Sequence, residues 1–367
     1  MTRRRRWGVT LGVLLLLLTG CWDQRPVEGR AVVEAVGVQP TRQPGVWQWT
    51  FVFPSPTESI NTLGTSSPAS EVYALAVQAR TWTRALLAAQ QETTRDLYFG
   101  QFRVLALSPR LPAAVWARLI TTFNRSGRIL KTFWIVDASP ADLVVRTPPA
   151  SEGTPLYGLF KLLACHCQPY LWGQRAWQAW DRLATPGVSL EVPVIRLNDQ
   201  QLVRNPAMAV LGSKRLVEWS PMASAGWAYL TQHVVKGGLA VSVGSETIGL
   251  NRVRGTSHVA VAAIGSHRQV TVRLSYRGDL EDVPATVHLT PTEKATIAAA
   301  ASHQILQWSQ TAVRDAEQQQ VDPFGWHRES AWALNTPGDP WPAPVSWQDW
   351  SVHLRVRFRI SGEGVAH

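Results

Sequence analysis

Three cysteines occur in 367 residues, and the stretches around them are where chemistry could begin. The first is Leu18-Thr19-Gly20-Cys21, which closes an uncharged apolar run from Trp7 to Leu18 preceded by four consecutive arginines, Arg3 to Arg6. A run of about 12 apolar residues is too short for a bilayer core, which takes about 20. Basic, apolar and small residues in that order read instead as a secretion signal. The last four residues have the form of a lipobox, in which the Cys21 thiol is alkylated with diacylglycerol before the leader 1–20 is cut away. Cys21 then begins a lipid-anchored chain. The plainer alternative keeps the segment as an uncleaved anchor with Cys21 a bystander thiol. Both place the rest of the chain outside the cytoplasm.

Cys165-His166-Cys167 is the second stretch. A zinc site needs four ligands, usually in CxxC or HxxxH pairs, and no second pair follows at a useful distance. Two cysteines at i and i+2 are also poorly placed for the Cα separation and Cβ directions of a disulfide. The cluster therefore reads as packing at the exit of a helical segment from Leu156 to Ala164. No GxSxG, HExxH, P-loop or dinucleotide fingerprint is present, and the nine histidines are scattered. A non-catalytic protein without cofactor or metal is expected, its one added group being the diacylglycerol on Cys21.

A third candidate is a charged strand. From Ser351 to Ser361, Val352, Leu354, Val356, Phe358 and Ile360 alternate with His353, Arg355, Arg357 and Arg359. The three arginines on one face could meet acidic lipid headgroups or an acidic partner. The bland reading is a solvated face, or one paired with acids on the neighbouring strand.

Charge and composition bound the rest. The formal charge is +10, and removing the leader with its four arginines leaves +6. Arginine far outnumbers lysine, and the 18 tryptophans exceed phenylalanine and tyrosine together. Arginine and tryptophan both stack on flat ligands, but the tryptophans are dispersed and no KH, RRM or zinc-finger pattern accompanies them, so no nucleic acid is expected. With 45% hydrophobic residues the chain can bury two or three cores.

The elements that must hold these residues alternate in kind. Arg30 to Gly37 and Val46 to Phe53 read as strands, and Pro54 to Pro68 as an exposed loop. Ser70 then reads as the cap of a helix with Val72, Leu75, Ala76, Ala79, Trp82 and Leu86 at helical spacing. A strand from Leu97 to Ser108, a helix from Pro112 to Ser126, a strand from Lys131 to Val136, a short helix after Ser139-Pro140, a helix from Gln174 to Leu183 and a strand from Glu191 to Leu197 complete an α/β domain over 21–197. Residues 198–236 read as a small middle unit. From 237 to 367 the period becomes two, predicting an antiparallel sheet. The capping box Thr290-Pro291-Thr292-Glu293 opens a helix to about Gln319 with Ala298, Ala301, Ile305, Trp308, Ala312 and Ala316 on one face. The fold class is thus mixed α+β, multi-domain, with one long helix over the last sheet.

Several short segments carry a resemblance. Cys21-Trp22-Asp23-Gln24-Arg25-Pro26 followed by a strand, then Leu97-Tyr98-Phe99-Gly100 with Arg103-Val104-Leu105, then Asn205 to Leu216, and finally Val321-Asp322-Pro323-Phe324-Gly325 with Trp347, Asp349, Trp350 and Ser361-Gly362 occur in the order found in the Ger(x)C lipoproteins. These are the C subunits of bacterial spore nutrient germinant receptors. Gln101 stands where that family tends to have His, and Val38-Gln39 lacks its strand-ending Asp. The resemblance implies a three-domain fold without a recognised catalytic site, anchored on the outer face of the spore inner membrane. It also implies assembly with the integral membrane A and B subunits, with the GerD lipoprotein a further candidate partner. It marks Trp22, Asp23, Asp322, Phe324 and Gly325 as motif positions of structural or interaction value. A lipid-anchored extracytoplasmic solute-binding protein is the alternative function, which would have two similar lobes of doubly wound parallel sheet.

Overall fold

The computed structural model describes residues 27–54, 73–148, 155–164, 173–198, 201–234, 237–264, 267–284, 289–334 and 346–362. The leader, Cys21, Trp22, Asp23 and the cluster Cys165-His166-Cys167 lie outside the described residues.

The first half runs β1 (Arg30–Val32), β2 (Ala35–Pro40), β3 (Trp47–Phe53), β4 (Tyr73–Ala79), α1 (Trp82–Gln91), β5 (Asp96–Tyr98), β6 (Val104–Leu107), α2 (Ala113–Arg125), β7 (Trp134–Ser139), α3 (Ala141–Val144), α4 (Pro155–Ala164), β8 (Gln174–Arg175), α5 (Ala176–Ala184) and β9 (Glu191–Asn198). It continues with β10 (Gln201–Leu211), β11 (Leu216–Glu218), α6 (Pro221–Leu230), β12 (Gly237–Val243), β13 (Glu246–Ile264), β14 (His267–Asp282), α7 (Pro291–Gln319), α8 (Trp326–Leu334) and β15 (Trp350–Gly362).

A nine-stranded mixed sheet dominates the first half, in the order β11-β10-β9-β7-β6-β2-β3-β4 with β8 paired to β7. Its centre, β2, β6, β7 and β9, is parallel. These central strands are continuous apolar runs because both faces are covered. One face packs Trp49, Phe51, Leu105, Leu107 and Ile135 against α1, α2 and α5. The other packs Val104, Ala106, Val136 and Ala138 against α3 and α4.

The helix expected from Ser70 is a strand over its described part. Tyr73 to Ala79 pairs antiparallel with β3, setting Val77 opposite Trp49. The helix starts only at Trp82, where the Thr81 side chain accepts from the Arg84 N–H. An alanine-rich segment has no strong preference of its own, and the open edge of β3 decides its state through cross-strand pairing.

Residues 198–236, expected as a small unit, have no separate core among the described residues. β10 and β11 extend the large sheet, and α6 packs in the C-terminal core. The alternation along β10 is what joins the two halves: Ala207 and Ala209 face the first core, while Met208 and Val210 face the second.

The C-terminal sheet runs β12-β13-β14-β15. Its inner residues Val270, Val272, Leu274, Tyr276 and Phe358 pack against α6 and α7. The capping box at Thr290 and Glu293 forms as expected, and α7 buries Ile297, Ala301, Ile305, Ala312, Val313 and Ala316, a stripe that leaves Ala298 and Trp308 half-buried. A methyl group on Gly226 of α6 would meet the Trp308 carbonyl of α7, so these helices touch backbone to backbone. The antiparallel expectation fails at one strand: β15 lies parallel to β14. The segment between them carries α7 and α8, and a crossover of that length permits parallel pairing where a hairpin does not. The free edge of β15 is tied to α7 by the Phe358 N–H, which donates to the Ser302 hydroxyl at 3.0 Å.

Candidate functional site

Asp322, Phe324 and Gly325 form a buried turn between α7 and α8. The long helix ends in a left-handed residue, Gln320 at φ 52°, and the chain turns inward through Gly325 at φ 80°, which suits a residue without Cβ. Asp322 is fully buried. Its Oδ1 accepts from the N–H groups of Phe324 at 3.0 Å and Gly325 at 2.9 Å. Its Oδ2 accepts from the His327 N–H at 2.7 Å and lies 2.9 Å from His327 Nδ1. His327 Nε2 in turn lies 2.9 Å from the Ser346 carbonyl, at the entry to β15. The Asp322 backbone pairs both ways with Ser189: its N–H donates to the Ser189 hydroxyl, and its carbonyl accepts from the Ser189 N–H. The Asp322 carboxylate therefore organises the start of α8 and the approach to β15, while the Asp322 backbone makes the link to the segment entering β9 of the first half.

Indoles complete this hub. Trp347 Nε1 donates to the Val321 carbonyl, Trp227 Nε1 to the Pro323 carbonyl and Trp219 Nε1 to Gln319 Oε1. Phe324 stacks on Trp326 with ring centroids 4.4 Å apart. Asp322, Phe324 and Gly325 are thus buried within the fold, with the Asp322 carboxylate saturated by its own turn.

Beside the hub, a cavity of about 260 Å³ opens between the two halves, lined in part by Trp177, Arg182, Glu191, His233 and Arg328. Burial pushes the Glu191 carboxyl up to about 7 and Asp322 adds to that push, while Arg182, 2.7 Å away, opposes it. Burial likewise lowers His233, to about 4, and its ring stacks on Trp227 at 4.6 Å. A carboxyl with its folded pKa above the ordinary 4.5 binds more protons folded than unfolded between those values. Its contribution to stability is complete below about 4.5 and is lost as pH rises through about 7. Glu191→Gln is therefore expected to remove a stability decline of up to about 3 kcal/mol between about pH 4.5 and pH 7. Thermal melts of both proteins across that range check it; an unchanged decline in the variant refutes the assignment.

The arginines of β15 lie on the outer face of the C-terminal sheet, and the neighbouring strands enlarge the set. The register sets Arg273 beside Arg355, Ser275 beside Arg357 and Arg277 beside Arg359. On the other side of β14, Arg254 faces Arg277 and His258 faces Arg273. Six arginines, Arg254, Arg273, Arg277, Arg355, Arg357 and Arg359, thus share one exposed face. None of them has an acidic partner among the described residues. The bland expectation of acids on the neighbouring strand is not met. Asp279, further along β14, is held by Arg252 at 2.8 Å and by the Ser361 hydroxyl at 2.7 Å. The alternation in the sequence already puts Arg273, with Thr271 and Ser275, on the polar side of its strand, whereas Arg254 and Arg277 join the set only through the sheet.

Among the described residues no group of three or more His, Cys, Asp or Glu side chains is placed to hold a metal. No described helix is long and apolar enough to cross a membrane.

Comparison with known proteins accounts for most of the chain. Residues 23–197 match the family model described as spore germination protein N-terminal domain. Residues 207–364 match the one described as spore germination B3/GerAC like, C-terminal. No curated protein matches the chain. Among solved structures, the crystal structure of the GerBC protein is similar in fold, with a TM-score of 0.55 at 9% identity over 89% of this chain and 96% of that one. With one model over each half and their boundary falling at β9 and β10, the chain belongs to the Ger(x)C family of spore germination proteins.

Proposed function

We propose that this protein is the lipid-anchored, non-catalytic C subunit of a spore nutrient germinant receptor. It works through contact with two integral membrane subunits, A and B, at the outer face of the spore inner membrane, with the GerD lipoprotein as a further partner. The observation that carries this reading is the succession of the two family models across residues 23–197 and 207–364, directly behind a leader ending in Leu18-Thr19-Gly20-Cys21. Sites of contact rather than of reaction fit what the described residues offer: a saturated buried carboxylate, an exposed arginine face and exposed indoles at Trp177, Trp180 and Trp332. The solute-binding alternative expects two similar doubly wound lobes, whereas the second half here is a four-stranded sheet wrapped on one long helix.

Affinity purification of the full-length tagged chain from spore inner membranes tests the reading. Two multi-span membrane proteins are expected to co-purify. Recovery of the chain alone from such membranes, or tight binding of an amino acid or sugar by the chain alone, would overturn it.

A further inference from the structure

The outer face of the C-terminal sheet carries a charge pattern that folding alone does not reward. Like charges directly opposite on neighbouring strands are unfavourable, yet Arg273 stands beside Arg355, and Arg277 stands between Arg254 and Arg359. Every cation of the cluster is arginine, whose planar fork of donors matches the oxygens of a phosphate two at a time. The side chains Arg254, Arg277, Arg357 and Arg359, with the hydroxyls of Thr256 and Ser275, line a shallow hollow of about 510 Å³. That is room for a phosphate headgroup between guanidinium groups.

What the face lacks decides the kind of partner. Protein interfaces depend on buried aromatic and large aliphatic anchors, and among the described residues the exposed large apolar side chains, such as Trp177, Trp180, Met222 and Trp332, all lie on other elements. Between the arginines stand only threonine, serine, histidine and small residues. A flat, polar, cationic sheet face without an anchor residue suits a fluid anionic surface, which adapts its own headgroups to the charges.

We propose that the face formed by Arg254, Arg273, Arg277, Arg355, Arg357 and Arg359 docks on anionic phospholipid headgroups, laying the C-terminal sheet against the bilayer. The inference rests on the anchored reading in one respect. Only Trp22 to Pro26 separate Cys21 from the first described residue, a reach of roughly 20 Å when extended, so a lipid on Cys21 holds the body next to headgroups.

The test uses residues 22–367, without leader or Cys21. Among the described residues, the buried core runs from Val33 to Phe358 with Ile360 packed against it, so this part contains the whole described fold. It is mixed with phosphatidylcholine vesicles made with or without phosphatidylglycerol, and bound protein is measured by sedimentation. Binding is expected only with phosphatidylglycerol, and it should fall steeply as salt screens the charges. Combined Arg355→Ser, Arg357→Ser and Arg359→Ser should weaken it about a hundredfold, each arginine near such a surface contributing a factor of about five. Combined Arg42→Ser, Arg84→Ser and Arg128→Ser, exposed positions elsewhere with the same loss of charge, should change it little.

Equal loss in both triple variants would reduce the effect to bulk charge and overturn the proposal. So would no binding to phosphatidylglycerol, or binding to polyglutamate but not to vesicles, which would assign the face to an acidic protein. If the triple variant fails to fold, the single variants Arg355→Ser, Arg357→Ser and Arg359→Ser keep the face testable: each should weaken binding about fivefold, and singles no weaker than Arg42→Ser, Arg84→Ser or Arg128→Ser would overturn the proposal. Because Cys21 is absent throughout, a negative result leaves the anchor reading intact and refutes the docking face alone.

Discussion

Replacing Cys21 with alanine is expected to take the protein out of the lipid phase. The thiol is the only group in Leu18-Thr19-Gly20-Cys21 that can carry a thioether to diacylglycerol. Each buried methylene of an acyl chain contributes about 0.8 kcal/mol, and one myristoyl-length chain holds a protein only marginally. Two chains together make detachment negligible, so their loss should lower membrane partition by roughly a thousandfold or more. The cationic sheet face then remains as a weak, salt-sensitive contact. Without lipid on Cys21 the leader 1–20 is not removed, so the intact mass of the variant gains the leader and lacks the diacylglycerol; because an uncleaved apolar leader would itself hold the chain, loss from the detergent phase is read on the variant with the leader also deleted. Normal retention at normal abundance, or an unacylated cysteine at the start of the native chain, would refute the anchor.

Removing the Asp322 carboxylate should produce the largest loss of stability of any single substitution at the hub. Asp322→Ala leaves the buried N–H groups of Phe324, Gly325 and His327 without their acceptor and takes the partner from His327 Nδ1. A buried donor left unpaired costs about 1–3 kcal/mol, and breaking a buried charged network costs about 3–5 kcal/mol. A loss of about 4 kcal/mol is therefore expected, read as a lower midpoint in urea. Asp322→Asn keeps one acceptor oxygen but sets an amide NH₂ among donors, so it should fall between wild type and alanine. The Asp322 backbone bonds to Ser189 survive either change, which limits the damage to the start of α8 and the approach to β15. Increased hydrogen exchange should appear in residues 323–334 and 346–350. An unchanged urea midpoint for Asp322→Ala would remove the hub role.

These predictions differ in what they draw on. The first rests on four adjacent residues and their chemistry. The second rests on donors within five residues of Asp322, on Phe324, Gly325 and His327, and on the tertiary packing that buries the turn, of which the backbone bond to Ser189, 133 residues away, is a part. Asp322, Phe324 and Gly325 were legible as motif positions only through the resemblance. That a single carboxylate collects four donors there was not, because the turn that gathers them depends on how α7 ends and on the packing that buries it.

The same division runs through the fold. Local signals identified the helix Ala113–Arg125, the capping box at Thr290 and Glu293, and the inside-outside alternation of β15. Each depends on residues within one or two turns of one another, where periodicity and capping are complete in the chain itself. The leader and Cys21 are of this kind too, since a lipobox is read as an extended peptide. Tertiary structure decided whatever required a neighbour from elsewhere. The free edge of β3 made a strand of Tyr73 to Ala79, and β10 divided its side chains between two cores, so that the described residues of 198–236 form none of their own. The crossover through α7 and α8 laid β15 parallel to β14, gathering arginines from three strands on one face. Strand pairing uses hydrogen-bonding groups common to every residue, so the sequence states that a strand exists while only the assembled sheet states which strand lies beside it.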